Sequence, residues 1–543
     1  MLAALIVRGC LGKARASGES AFAAAIYARY KFRKPTRDER TRDFPAGMAE
    51  PKKTTEALDS PEGRRDRRTA IVLLVFAWLL YGAFEQSPFN LQGAVLEALV
   101  ERGRLSFARG QMKDIMFENF DTNTPSFRLL FNVFPYEGRY HVNHAPGQFL
   151  LAAPWYAALV KLGWRFETHE RLVWRILVWT LTAPLGAAAV ASIFLLGRGW
   201  GMSWSGTLLS SLAFGFCSPW WPSSGVLYHD HLAVSLVLLG AAMWSWRSAP
   251  RRVVAIAKPV ASGFLFAFAV VTTYLIAPIV ALILAFIVRS RPSRRALALL
   301  ACGFLPIAAI LPVVNVIHFG SLFATGYSAG GFESNYPSLL DLANAWEKTR
   351  FYLWDSEYGL LWLFPAFALG AAGLLWNPPF EPSVKRMLLT LAAAHFLFII
   401  SMQHHGSVGW GMGRFFLPLY PILAFGLPAF GDLPEWKGHS ARALMFSSCL
   451  YSALFALAGS WYGIQGVMEP GVPSLKLQLM VEYYPLQSRL IWLCALAGVV
   501  AESVYYACFR NPASAPVSSL SGRRVPFRPK SRAGAKVARR RKR

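Results

Sequence analysis

The sequence predicts an all-α polytopic membrane protein with about twelve transmembrane helices. Three observations carry this. Of 543 residues, 54% are hydrophobic and only 16% charged, against roughly 25% charged in a soluble domain. Apolar runs of membrane-spanning length recur along the chain. The basic residues gather at the two ends and in short loops between alternate runs, as the positive-inside rule asks.

The net charge of +26 is mostly terminal. Residues 511–543 hold eleven Lys/Arg and no acid, and residues 1–68 hold sixteen Lys/Arg against nine acids. No nucleic-acid motif accompanies either end, so the charge reads as two cytoplasmic tails near anionic lipid, with no nucleic-acid partner. Residues 1–68 read as a basic, disordered tail in which Met48 is an alternative start. Residues 509–543 read as a second such tail, and 69–508 as the membrane domain. The six cysteines form no CxxC pair, which excludes a zinc site of that kind and a disulfide framework.

The first span is 69–84, with RRDRR (64–68) placing the N-terminus in the cytoplasm. The others are 172–197, 204–220, 225–246, 253–273, 274–288, 296–318, 357–376, 385–403, 413–431, 440–463 and 487–508. The apolar run 145–163 is left out of this count. Were it to span, the basic loops 198–203, 247–252 and 289–295 would flip outward, so it reads as a re-entrant or interfacial helix. Both termini are then cytoplasmic, in a cell (inner) membrane. Outer loops 85–171 and 319–356 then collect the polar segments. Within the first, residues 89–105 have helical spacing and read as a helix on the membrane surface.

The chemistry-bearing residues fall on the outer face of this topology. Glu85 and Asp121 are the candidate catalytic carboxylates, because a sugar transferred to a hydroxyl or amine needs a base within hydrogen-bond reach of the acceptor. A loop of that size also carries acids that are simply solvated. His229, Asp230 and His231 open a span at YHDH (228–231), where ionisable groups at the membrane boundary are candidates for substrate or phosphate contact or for a polar cap. Their spacing is not that of a helical HExxH metal site, and no metal ligands are assigned. His404 and His405 precede Arg414, whose guanidinium opens an apolar run on the outside and suits a phosphate's two oxygens. Arg139 and His144 lie in FNVFPYEGRYHVNHAPGQF (131–149), a polar loop feeding the helix at 145–163. No cofactor is certain from the sequence, and a divalent cation is left open.

The first outer loop, FPYEGRYHVNHAPGQFLLAAPWYAAL and the late GWGMGRFFLPLYPIL together resemble bacterial GT-C glycosyltransferases. The closest pattern is that of the family 39 protein-mannosyltransferase and aminoarabinose-transferase-like proteins. The resemblance runs over about residues 69–465, its specific motifs over far fewer. It implies a GT-C fold and inverting transfer from a polyprenyl-phosphate-linked sugar to a lipid, glycan or protein acceptor. It also implies an acidic base in the first loop and a cationic side chain on the lipid phosphate. The sequence departs from the pattern twice. Glu85 stands alone in FEQSPFN where a paired acid is usual, and His144-Ala145-Pro146-Gly147 replaces a basic-Pro-Pro helix start. The rival reading is a polytopic transporter or lipid flippase. A third is a non-catalytic protein derived from a GT-C enzyme. Against the transporter, the spans are nearly free of charge at mid-membrane and show no internal repeat.

Overall fold

The computed structural model describes residues 60–84, 90–107, 133–142, 144–245, 252–329, 342–354, 359–376, 380–402, 414–431, 435–462 and 497–498. The chain is an all-α polytopic membrane protein, with one small sheet in its first outer loop. Among the described residues, five helices are long and apolar enough to cross a membrane: Phe166–Gly199, Val253–Thr272, Arg294–Phe319, Pro382–Ser401 and Gly438–Leu457. Shorter apolar helices lie at Tyr274–Arg289, Pro365–Trp376 and Leu419–Gly431.

Helix α1 (Pro61–Ala83) starts two turns before the expected span, inside the stretch read from sequence as disordered tail. The local cause is a complete N-terminal signal. Ser60 Oγ accepts from the Gly63 amide at 3.0 Å, and Pro61 supplies the preset φ of a first turn. Next come α2 (Asn90–Arg102) and strands β1 (Ser106–Phe107), β2 (Val133–Tyr136) and β3 (Arg139–Val142), in the order β1-β3-β2. Glu137 and Gly138 join β2 to β3 with φ of +50° and +74°, the two-residue turn whose twist matches antiparallel strands.

Helix α3 (Gly147–Lys161) has 15 residues, fewer than the ~20 a spanning helix takes. It packs into a separate cluster with Val95 and Leu96 of α2, Phe107, Tyr140 and Trp174. Residues 89–105, expected to lie along the membrane surface, hold α2, whose Val95 and Leu96 are fully buried and pack with α3. A Cβ on Gly147 would come within 2.6 Å of the Thr272 backbone, so the start of α3 sits directly on the end of a spanning helix.

The bundle follows. Helix α4 (Phe166–Leu177) runs through a π turn at Val178–Thr182 into α5 (Ala183–Gly199). Then come α6 (Trp204–Phe216), α7 (Trp220–Ser224), α8 (His229–Ser245), α9 (Arg252–Thr272) and α10 (Ala277–Arg289). Helices α11 (Arg294–Ala308) and α12 (Ile310–Phe319) follow. Beyond them are α13 (Gly326–Ala329), α14 (Ala345–Trp354), α15 (Leu360–Leu363), α16 (Pro365–Trp376) and α17 (Pro382–Ser401). Helices α18 (Leu419–Ala424), α19 (Pro428–Gly431) and α20 (Glu435–Tyr462) come last in this series. The expected span 413–431 is broken because Pro418, Pro421 and Pro428 each remove an amide donor. The expected span 487–508 lies outside the described residues except for 497–498.

Helix α8 is the axis of the bundle. Every residue from His229 to Leu238 is buried, as suits a helix apolar all round. The main core gathers Val190, Ile193, Phe214, Trp220, Val234, Phe266, Phe367 and Tyr420. Between apolar helices in lipid, close backbone approach substitutes for the hydrophobic drive. Gly263 of α9 and Gly303 of α11 show this: each occupies the space beside a carbonyl of the other helix, Leu300 O and Val260 O respectively. Apart from that seam α11–α12 is the most outward-facing span, with 11% of its apolar window buried.

The helix ends sort into two layers. Tyr81 near the end of α1 donates to Gly215 O at the end of α6, at 2.9 Å. At the opposite end Arg198 bonds Asp66 at 2.9 Å, and Trp204 Nε1 donates to Thr69 Oγ1 at 3.1 Å. His229, Thr272 and His395 belong with the first layer, the one expected to face outward.

Candidate functional site

The outward layer contains a narrow cleft lined by Asp230, Val234, Thr273, Ile276, His395, Ile399, Phe415 and Pro418, among others. Its walls come from the start of α8, the turn after α9, the outer half of α17 and the segment leading into α18. The enclosed space is about 10 Å³, room for one water. Asp230, residues 395–399 and residues 415–418, far apart in sequence, meet here, and His144 lies on His229, the residue before Asp230.

His144 precedes the Pro146-Gly147 start of α3, and its position follows from the contact of Gly147 on Thr272. Its ring lies over that of His229, centroids 4.1 Å apart. His229 Nε2 is 3.5 Å from Asp230 Oδ1, and both side chains are almost wholly buried. Tyr228 also packs on His229, ring centroids 4.5 Å apart. A buried carboxylate persists when paired, and the neighbouring imidazole supplies that partner when it carries its proton.

His395 was not among the sequence candidates. It sits inside an apolar run, 2% exposed, and its Nε2–H donates to Phe415 O at 2.9 Å. That bond fixes the tautomer, so Nδ1 keeps its lone pair. No hydrogen-bond partner reaches Nδ1 among the described residues, and the ring lines the cleft. The signal available in sequence was the residue itself, since an ionisable group within a membrane segment is a functional candidate by default. Lys348 is another buried ionisable residue outside the sequence candidates. It lies on α14, inside the expected outer loop 319–356, is 1% exposed and donates to Met402 O. Residues 402 and 415 are therefore both tied to the bundle, one by a lysine and one by a histidine.

The other expected site residues distribute as follows. His231 faces away from the cleft, to Ser224 Oγ at 2.9 Å and to the ring of Trp220 at 4.4 Å. Ser224 Oγ donates to Trp220 O, so His231 Nε2 donates to Ser224 and closes α7 onto α8. Arg139 is on β3, where its Nε and Nη2 bond Ser106 Oγ and Ser106 O, both at 2.9 Å, holding β1 to the hairpin. Arg414 opens the short turn Arg414–Phe416, directly before the residue that His395 holds. Glu85, Asp121, His404 and His405 lie outside the described residues. Among the described residues no group of three or more His, Cys, Asp or Glu side chains is arranged to hold a metal ion.

In the outer loop, the hairpin carries an aromatic cluster of Phe134, Tyr136 and His141, packed on His318 and Phe319 of α12. Burial, with His318 and Arg139 adding positive charge nearby, lowers the His141 imidazole to about 4.

No protein-family model and no curated protein matches the chain. Among solved structures it is similar to the crystal structure of ArnT from Cupriavidus metallidurans bound to undecaprenyl phosphate. That match has 13% identity and a TM-score of 0.40, and covers 82% of this chain and 78% of that one. The apo crystal structure of the same protein matches at 13% identity and a TM-score of 0.38, over 80% and 78% of the two chains.

Proposed function

We propose that this protein is a GT-C-type membrane glycosyltransferase. It moves a sugar from a polyprenyl-phosphate-linked donor to an acceptor at the outer face of a cell (inner) membrane. The observation that carries the reading is the stacking of His144 on His229 beside Asp230, whose side chain lines a buried cleft with His395 and Phe415 at one end of the bundle. A lipid-phosphate donor presents its anomeric carbon at that depth, between headgroup and hydrocarbon.

The chemistry is a single displacement. A carboxylate, Glu85 or Asp121, takes the acceptor's proton. The acceptor oxygen or nitrogen bonds to the anomeric carbon as the bond to the phosphate oxygen breaks, with inversion, and polyprenyl phosphate leaves. Arg414 balances the leaving phosphate, with Arg139 and His144 assisting. His229 and Asp230 hold polar groups of the donor, the carboxylate orienting the imidazole. The acceptor is a lipid, glycan or protein.

Reconstituted protein incubated with a panel of polyprenyl-phosphate sugars tests this directly. Release of polyprenyl phosphate, abolished by Arg414→Ala, is the expected result. Unchanged donor across a broad sugar and acceptor panel would reject the enzymatic reading. The same assay with and without a chelator decides whether a divalent cation takes part.

A further inference from the structure

At the end of the bundle opposite the cleft, about 25 Å along α8, a second and larger cavity opens between α1, α5 and the end of α8. Its volume is about 540 Å³, within the range of small-molecule sites. The lining changes character along its length. Ser60, Glu62, Asp66, Arg67, Arg198 and Ser245 form the mouth, and Ala70, Leu74, Ala191 and Leu195 form the depth. That gradation, polar for two turns and apolar for the next, is the profile of an amphiphile standing upright.

Two features identify the occupant. Ile71, at the edge of the groove, is 55% exposed, and Val72, Val75 and Phe76 continue the exposed apolar surface round α1 from there. In a spanning helix that face meets lipid, so what enters from the side is a bilayer component. The charges of the mouth are also sorted. Arg198 is held by Asp66 and by Met202 O, and Arg65 lies over the Trp204 ring at 4.3 Å. Arg67 and Glu62 are exposed at the mouth, and neither is in an ion pair with a described residue. One guanidinium and one carboxylate at the same mouth complement a headgroup carrying both a phosphate and an amine.

We infer that this groove binds one zwitterionic phospholipid of the cytoplasmic leaflet, its phosphate on Arg67, its amine against Glu62, and its acyl chains along Leu74 and Leu195. The site is separate from the outward cleft, and binding there does not depend on the transfer reaction.

The test is native mass spectrometry of the full-length protein released from detergent, with added phosphatidylethanolamine, phosphatidylglycerol or diacylglycerol. Phosphatidylethanolamine is expected to give a one-to-one adduct that survives collisional activation best, phosphatidylglycerol a weaker one, and diacylglycerol none. Arg67→Gln is expected to weaken the adduct about tenfold, and Arg295→Gln, which removes the same charge from another basic turn, to leave it unchanged. Leu195→Trp fills the apolar depth and is expected to abolish it without touching any charge. An adduct unaltered by both Arg67→Gln and Leu195→Trp would overturn the site. Equal retention of diacylglycerol would overturn the phosphate contact. Equal retention of phosphatidylglycerol would overturn the role given to Glu62.

Discussion

The imidazole of His144 lies on that of His229, with ring centroids 4.1 Å apart and planes inclined by 33°. One ring comes from the loop before α3 and the other from the first turn of α8, so this contact joins the outer subdomain to the axis of the bundle. Protonating both rings would set two like charges about 4 Å apart, and Asp230 stands at 3.5 Å from His229 Nε2. The pair with its carboxylate therefore behaves as one unit.

If it is one unit, its members are not additive. Asp230→Asn and His229→Gln are each expected to lower the transfer rate by at least about tenfold, and the double variant to lose little more. Single-turnover release of polyprenyl phosphate measures all three. Full multiplicative loss in the double variant would show that the two side chains act separately.

Gly147→Ala places a methyl within 2.6 Å of the Thr272 backbone, and turning the Thr272 hydroxyl aside does not relieve that contact. Overpacking of this kind costs about 1–3 kcal/mol, so the melting temperature in detergent should fall. Gly199→Ala, which meets nothing within 4 Å, is the matched control and should melt as the parent does.

Replacing His395 by Phe keeps the ring and removes the donor to Phe415 O. A buried carbonyl left without its partner costs about 1–3 kcal/mol. The loss falls beside Arg414, so the KM for the lipid donor should rise along with the drop in thermal stability. An unaltered KM in a destabilised variant would confine His395 to a structural role.

His141 makes one outer element sensitive to acid. Its ring is held down to about 4, while in the unfolded chain it titrates near 6.5. Between those values the unfolded chain binds the extra proton. Its contribution to stability is therefore complete above pH 6.5 and is lost as the pH falls toward 4. Melting at pH 7.5 and 4.5 should show a smaller pH-dependent drop for His141→Phe than for the parent, the difference being on the order of 2 kcal/mol.

Much of the bundle was legible because hydropathy reports directly on it. The runs 253–273, 296–318 and 385–403 each appear as helices within a few residues of where the sequence puts them. The hairpin was not legible. Its turn is Glu137-Gly138, and glutamate carries none of the left-handed preference that marks Asn-Gly or Asp-Gly. The start of α1 was misread because RRDRR dominates its composition, while one hydroxyl at Ser60 decides where the helix begins. At the site, His144, His229 and Asp230 were singled out for lying at a membrane boundary, and the fold brings them together. His231, one residue on, turns about 100° round the helix and serves a different contact, which no spacing rule separates from its neighbours. His395 escaped because a single imidazole barely lowers the hydropathy of the run around it.

The seam between α9 and α11 has a mechanical consequence. Gly263 and Gly303 are reciprocal: the hydrogen of each stands where the other helix's carbonyl needs room. Widening either glycine by one carbon therefore pushes on both contacts together, because the two rods share a single line of touch. The outer arm formed by α11 and α12 has little other purchase on the bundle, and its far end, at His318 and Phe319, carries the hairpin's aromatic cluster. Strain placed at that seam is thus handed along α11 and α12 to the outer subdomain, which is also seated on the bundle through Gly147 and His144.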